Sequence, residues 1–265
     1  MRKVEQLGRR TFLMSVGKGT FALLSEVTFG LGRRGLAVAL GGTGLATACT
    51  QPMTFPPPAL QSTSDDEMEA TASYLRVAIE FVNAYVLVRG QEIAIVDTGL
   101  PGSAAKFTDV IQSAGHGWDA VNHVILTHHH PDHVGSTGEV LEAAGKATIY
   151  AGAEDIPEIT SPQQIQAVKD GDEVLGMQII DTPGHTPGHI SVYDPKGSLF
   201  VAGDAMVNVD GVLAGANARF TADMDMANES IKKIAQLTFE TAVFGHGDPI
   251  DAGASNAVTA LASTL

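Results

Sequence analysis

The stretch ILTHHHPDHVG, residues 125–135, places four of the chain's nine histidines within six positions, together with a proline and an aspartate. A packed core rarely accepts so many imidazoles, and a solvated loop has no use for them. His128, His130, Asp132 and His133 follow an apolar run, VNHVILT over 121–127, that reads as a buried strand, and they open a predicted helix over 132–145 that Gly145 closes. Asp132 and His133 fall in the first helical turn, directly after Pro131, a residue suited to that position. A strand end meeting a helix start is a stiff corner from which short side chains converge. Imidazole joined by carboxylate is a ligand set for zinc, iron and similar ions.

Three further segments share that design. His185 lies in DTPGHTPGH (181–189), Asp204 in FVAGD (200–204) and His246 in VFGHGDP (243–249). Each follows an apolar run and adjoins glycine, which lets the backbone turn sharply and approach closely. Independent segments that all end in a metal-type ligand are what an assembled site requires.

The rest of the chain alternates strands and helices. SYLRVAIEFVNAYVLVRG (73–90) and QEIAIVDTG (91–99) are β-branched apolar runs and predict successive strands, followed by a short helix over 102–115. ATIYA (147–151) is another strand. DEVLGMQIIDTPG, HISVYDP and GSLFVAGD give three more, with turns at Gly176 and Pro195–Gly197. An amphipathic helix over 224–237, the strand TAVFG (241–245) and a last helix over 252–264 complete the body. Two β-rich halves, each with helices outside, imply an α/β architecture of stacked sheets flanked by helices. No short repeat is visible.

Length and charge bound the function. The chain has 265 residues, 44% of them hydrophobic, enough for one large core. The single cysteine, Cys49, excludes an internal disulfide and disfavours a thiolate metal site. Seven of the 16 cations but only two of the 30 acids lie in residues 1–49, which leaves 9 cations against 28 acids, net −19, in residues 50–265. A body that acidic repels phosphate backbones, so a small-molecule substrate is expected and nucleic acid is not.

Residues 1–49 read as an export signal or a membrane-anchoring segment. GRRTFLMSV (8–16) resembles a twin-arginine export signal, and GLAVALGGTGLATAC (35–49) has the length of a signal-peptide core and is short for a membrane span. Small residues at 46–48 precede Cys49, as in a lipoprotein signal, although Ala46 stands where such signals usually carry leucine. The expected location is therefore the periplasmic or extracellular face. Membrane contact is expected only through this segment or a lipid on Cys49. Residues 50–70, rich in Pro, Ser and acids, read as a linker or extended arm before a catalytic domain over 71–265.

His-x-His-x-Asp-His, then Gly-His, Gly-Asp and Gly-His in that order, resembles the metallo-β-lactamase superfamily over about residues 72–265, on the glyoxalase II and lactonase-like side. The resemblance implies a four-layer αβ/βα sandwich with the metal site at one edge of its two sheets. It implies that His128, His130 and His185 hold a first metal, that Asp132, His133 and His246 hold a second, and that Asp204 bridges them. Two zinc ions per chain are expected, with iron or manganese as alternatives. VDTG (96–99) matches another family segment, and its Asp97 would orient the histidine loop by hydrogen bonding. His129 is expected to point away from the metals and His189 to hydrogen-bond near them. His116 and His123 are expected at the surface or satisfied elsewhere, Asp181 and Asp248 to support turns, and Arg219 and Phe220 to lie in a loop that can face substrate.

The implied reaction is metal-assisted hydrolysis. Two ions about 3.5–4 Å apart share one water and lower its pKa towards 7, and Asp132 is the residue placed to pass a proton to the leaving group. A carboxylic ester, thioester or lactone is the expected substrate class. In the family as the resemblance presents it, secreted β-lactamases generally lack a carboxylate where Asp204 stands. Homoserine lactonases carry a tyrosine just after that position, which DAMVNVDG (204–211) does not. The alternatives are a mononuclear iron dioxygenase acting on a persulfide, a β-lactamase-like amidohydrolase and, outside enzymes, an exported metal-binding protein.

Overall fold

The computed structural model describes residues 71–265, so the expected signal, the arm and Cys49 lie outside the described residues. The first sheet begins with an antiparallel meander, β1 (Ser73–Ile79), β2 (Val82–Arg89) and β3 (Glu92–Val96). It continues in parallel through β4 (Val121–Ile125), β5 (Thr148–Gly152) and β6 (Gln166–Val168). The connections carry α1 (Ala104–Ser113), α2 (Pro131–Val134) and α3 (Thr137–Ala144). The second sheet is built from β7 (Glu173–Val174), β8 (Met177–Asp181), β9 (Ile190–Asp194), β10 (Leu199–Val201) and β13 (Thr241–Val243), in the order β13-β10-β9-β8-β7. β11 (Met206–Val209) and β12 (Val212–Gly215) form a separate hairpin, and α4 (Met224–Ile234) and α5 (Ala254–Ala262) complete the chain.

Strand alternation sorts the apolar residues into three layers of core. Ile93 and Ile95 of β3 pack with Phe107 and Ile111 of α1 and Val140 and Leu141 of α3 on the outer side of the first sheet. Ala94 and Val96 face the other way and meet Met177, Ile179, Val192, Leu199 and Val201 of the second sheet. Phe200 and Ala242 then turn outward onto Ile231 and Ile234 of α4 and Val258 of α5. The layers therefore run helices, sheet, sheet, helices, the αβ/βα sandwich that the resemblance implied. Each fully buried Ile, Val, Leu or Phe stabilises it by about 1.5–3 kcal/mol. Among the described residues no helix is long and apolar enough to cross a membrane.

Several elements differ from the sequence reading. The run 73–90 is a hairpin, folded back where Glu80 takes φ 53°. The expected helix over 132–145 breaks into α2 and α3 at Gly135, where a Cβ would run into Pro101 and the Gly99 carbonyl. Strands β6, β11 and β12 fall on stretches read as loop.

Register delivers the site. β10 and β13 run parallel with Val201 opposite Val243, so Asp204 and His246, each three residues further on, emerge side by side. β3 and β4 run parallel with Val96 opposite Ile125, which sets Asp97 beside the start of the histidine loop. All these residues leave the carboxyl ends of parallel strands at one edge of the sandwich.

Candidate metal centre

Two clusters of ligand atoms converge there. His128, His130 and His185 bring three ring nitrogens together: His128 Nε2 is 3.1 Å and His185 Nε2 3.0 Å from His130 Nδ1. Asp132, His133 and His246 form the second cluster, with His246 Nε2 3.4 Å and His133 Nε2 3.9 Å from Asp132 Oδ2. Asp204 lies between them. Its Oδ1 is 3.4 Å from His133 Nε2, and its Oδ2 is 3.4 Å from His185 Nε2 and 3.2 Å from His246 Nε2.

The far side of four histidines is fixed by hydrogen bonding. Thr127 Oγ1 donates to Asp97 and therefore accepts from His128 Nδ1 at 3.0 Å. Thr221 Oγ1 donates to the Asn217 carbonyl and accepts from His185 Nδ1 at 3.1 Å. His133 Nδ1 donates to Asp97 Oδ2 at 2.8 Å, and His246 Nδ1 to the Phe81 carbonyl at 2.8 Å. With these nitrogens protonated outward, the Nε2 lone pairs of His128 and His185 face the interior of the site, the tautomer a metal ligand needs.

The electrostatics fit a divalent cation. Burial holds His128 well below the usual histidine range and lowers His185 to about 4, so both are neutral at pH 7. Burial also pulls on His133 and His246, but the carboxylates outweigh it. Asp204 and Asp97 push His133 up to about 9, and hydrogen bonds to Asp132 and Asp204 push His246 up to about 10. Burial works to raise Asp204, yet His133 and His246 hold it well below the usual carboxylate range. The carboxylates thus favour positive charge in the second cluster, which a divalent ion would supply. His133 Nε2 and Asp204 Oδ1 are buried and have no hydrogen-bond partner, which is costly unless a ligand satisfies them. Gly245 keeps the space open, because a Cβ there would collide with Asp204 Oδ1 and His133 Cε1.

A family model described as "Metallo-beta-lactamase superfamily" matches residues 78–246. The chain belongs to the metallo-β-lactamase superfamily. It is 29% identical over 230 residues to a probable metallo-hydrolase of Bacillus subtilis (strain 168), YflN, covering 69% of this chain and 86% of that one. It is 32% identical over 142 residues to a hydroxyacylglutathione hydrolase of Fuscovulum blasticum, covering 52% of each, so the chain spans about half the length of that relative. Among solved structures, a metallo-beta-lactamase family protein from Thermus thermophilus superposes with a TM-score of 0.60 at 24% identity, covering 73% of this chain and 79% of that one.

The other residues singled out in the sequence divide between the candidate site and other parts of the fold. His129 turns away from the converging nitrogens and places its Nδ1 3.0 Å from Asp155 Oδ2. His189 is buried and accepts the Asp204 backbone N–H through Nε2 at 3.0 Å, while Thr182 Oγ1 lies 2.8 Å from its other nitrogen. Burial lowers it to about 3, so it stays neutral in this role. Asp248 pairs with Arg76 at 2.8 Å. His116 is half-buried, and His123 Nδ1 lies 3.2 Å from the Tyr150 hydroxyl. Asp181 contributes its backbone, accepting from Lys233 Nζ. Arg219 lies over the exposed Phe220 ring at 5.3 Å, in a turn tied to His185 by Thr221 and by the Ala222 N–H, which donates to the His185 carbonyl.

Sequence reasoning missed the threonines that fix the tautomers, Thr127 and Thr221, and the Phe81 carbonyl. Thr127 was legible as the residue directly before the histidines at a strand end. A carbonyl donated by a turn some 165 residues away in the chain has no sequence signal.

Proposed function

We propose that this chain is a metal-dependent hydrolase that holds two zinc ions and cleaves a thioester, carboxylic ester or lactone. The observation that carries the reading is the pair of ligand clusters flanking Asp204, with His133 Nε2 and Asp204 Oδ1 buried between them and making no hydrogen bond. His128, His130 and His185 would hold one ion and Asp132, His133 and His246 the other, with Asp204 placed between the two groups. Bound there, the ions supply a water acidified to near neutrality and polarise the substrate's carbonyl oxygen.

The chain's own residues do the rest. Asp132 sits in the first turn of α2, half-buried. The hydrogen bond to His246 outweighs burial and keeps its carboxyl below the usual range, so it is ionised at pH 7. This carboxylate would take the proton of the attacking water and return it to the leaving sulfur or oxygen. His189 fixes the Asp204 backbone, and Asp97 fixes the histidine loop, so the site is held rigid before substrate arrives. The likeness to hydroxyacylglutathione hydrolase favours an acyl thioester within this class.

The test is metal analysis of the purified protein together with turnover on a panel of thioester, ester, lactone and β-lactam substrates. Two zinc ions per chain with hydrolysis of a thioester or oxygen ester is the expected result. One firmly bound ion in metal-saturated protein, or cleavage of the β-lactam alone, would sink the reading.

A further inference from the structure

Asp155 is a fully buried carboxylate outside the ligand set. It stands at the start of a single 3-10 turn (Ile156–Glu158), where an aspartate side chain ordinarily caps its own helix, yet it makes no capping bond there. Its oxygens are committed elsewhere. Oδ2 accepts the N–H of His129 at 3.0 Å and the hydroxyl of Thr186 at 2.6 Å, and Oδ1 accepts the N–H of Gly188 at 2.7 Å. His129 lies between His128 and His130, and Thr186 and Gly188 follow His185. One carboxylate therefore grips both loops that supply the three nitrogens of the first cluster.

The junction has no slack. A Cβ on Gly188 would come 2.8 Å from Asp155 Oδ1, and a Cβ on Gly152 would run into the Gly188 carbonyl. The hydrogen bonds to Asp155 are shielded from water, so a donor left without its acceptor is costly. The second cluster gets no such support from Asp155. His133 rests on Asp97 and His246 on the Phe81 carbonyl.

We infer that Asp155 is a positioning residue that sets the spacing of His128, His130 and His185, and so selectively tunes the affinity of the first metal pocket. The inference rests on the dinuclear reading above. In Asp155→Asn the amide NH2 either faces the His129 N–H and Thr186 hydroxyl or faces the Gly188 N–H, so at least one of the three bonds that hold the two loops is lost.

The test compares the full chain with Asp155→Asn and Thr186→Val, each alone and in a His246→Ala background that cripples the second pocket. Each protein is stripped of metal and titrated with zinc against a chromophoric chelator. Asp155→Asn should keep one ion at wild-type affinity and bind the other about 10–100-fold more weakly, the range typical of lost outer-sphere support. In the His246→Ala background the remaining ion should weaken by the same factor, and Thr186→Val should weaken it in the same direction by less. Unchanged affinity at both pockets, or equal weakening at both, would overturn the inference. If Asp155→Asn does not fold, Thr186→Val decides, and wild-type affinity in the His246→Ala background overturns it. Wild-type protein that binds fewer than two ions overturns the reading beneath it, before any variant is compared.

Discussion

Asp97 Oδ2 accepts the ring N–H of His133 at 2.8 Å, while Oδ1 of the same carboxylate accepts the backbone N–H of Thr127 at 2.8 Å. Thr127 in turn holds His128, so a single side chain at the end of β3 orients one histidine in each cluster. It does so from a left-handed backbone, φ 62°, a conformation that aspartate and asparagine tolerate better than most residues.

Asp97→Ala should therefore weaken both metal sites together, by about 10–100-fold. It should also destabilise the fold, since each buried donor left without an acceptor costs about 1–3 kcal/mol. Asp97→Asn keeps an acceptor oxygen and tolerates the backbone angle, so it should fall between wild type and alanine. Zinc titration and thermal melts of the three proteins check this order. An alanine variant with wild-type zinc affinity at both sites would refute the shared role.

Gly245 tests the space between the clusters. Its φ is not positive, so alanine is compatible with the backbone and only the added Cβ matters. That methyl would meet Asp204 Oδ1 and His133. Gly245→Ala should fold, bind fewer than two zinc ions and lose at least about a hundredfold in turnover, roughly 2.7 kcal/mol of barrier. Circular dichroism and metal analysis separate this outcome from simple unfolding.

The candidate ligands, which the structure brings together, were legible in the sequence as ligand-type residues that end apolar runs beside glycine, at 128–133, 185, 204 and 246. Supporting groups were not, because a hydrogen bond between distant segments leaves no local pattern. Asp155 sits in GAEDIP, an ordinary acidic turn by composition, and becomes significant only when β5 lies beside β4. The β1–β2 turn was hidden because Glu80 takes a positive φ that glycine or asparagine would have signalled. The break after α2 was hidden for a different reason. Gly135 is tolerated in a helix, and the contact with Pro101 that needs it comes from another loop.

The export reading is tested apart from the catalytic domain. It rests on Arg9 and Arg10 in GRRTFLMSV and on the apolar run that ends at Cys49. Replacing both arginines with lysine should retain the protein, folded and active, inside the cell, as cell fractionation would measure. Undiminished appearance outside the cytoplasm would refute the twin-arginine assignment. Cys49→Ala separately tests lipidation: protein that still partitions into membranes after that change is not held by a lipid on this residue.

Asp204 and His129 give the sharpest contrast in the site. Among the described residues Asp204 is the one carboxylate within 3.4 Å of histidine nitrogens from both clusters, whereas the His129 ring turns to Asp155. Asp204→Ala removes the contact shared by the two pockets and leaves His133 and His246 without their main counter-charge. Both metal sites should weaken, and turnover should fall by several orders of magnitude, each factor of ten corresponding to about 1.4 kcal/mol of barrier. His129→Ala deletes only the ring. The backbone N–H that Asp155 grips survives the substitution, so the loop keeps its anchor and hydrolysis should stay near the wild-type rate. The two variants are to be compared with wild type and with His128→Ala on whichever thioester, ester or lactone is turned over, with circular dichroism showing that each is folded. A folded Asp204→Ala protein with near-normal turnover, or a His129→Ala protein as inactive as His128→Ala, would overturn the assignment of these ligands.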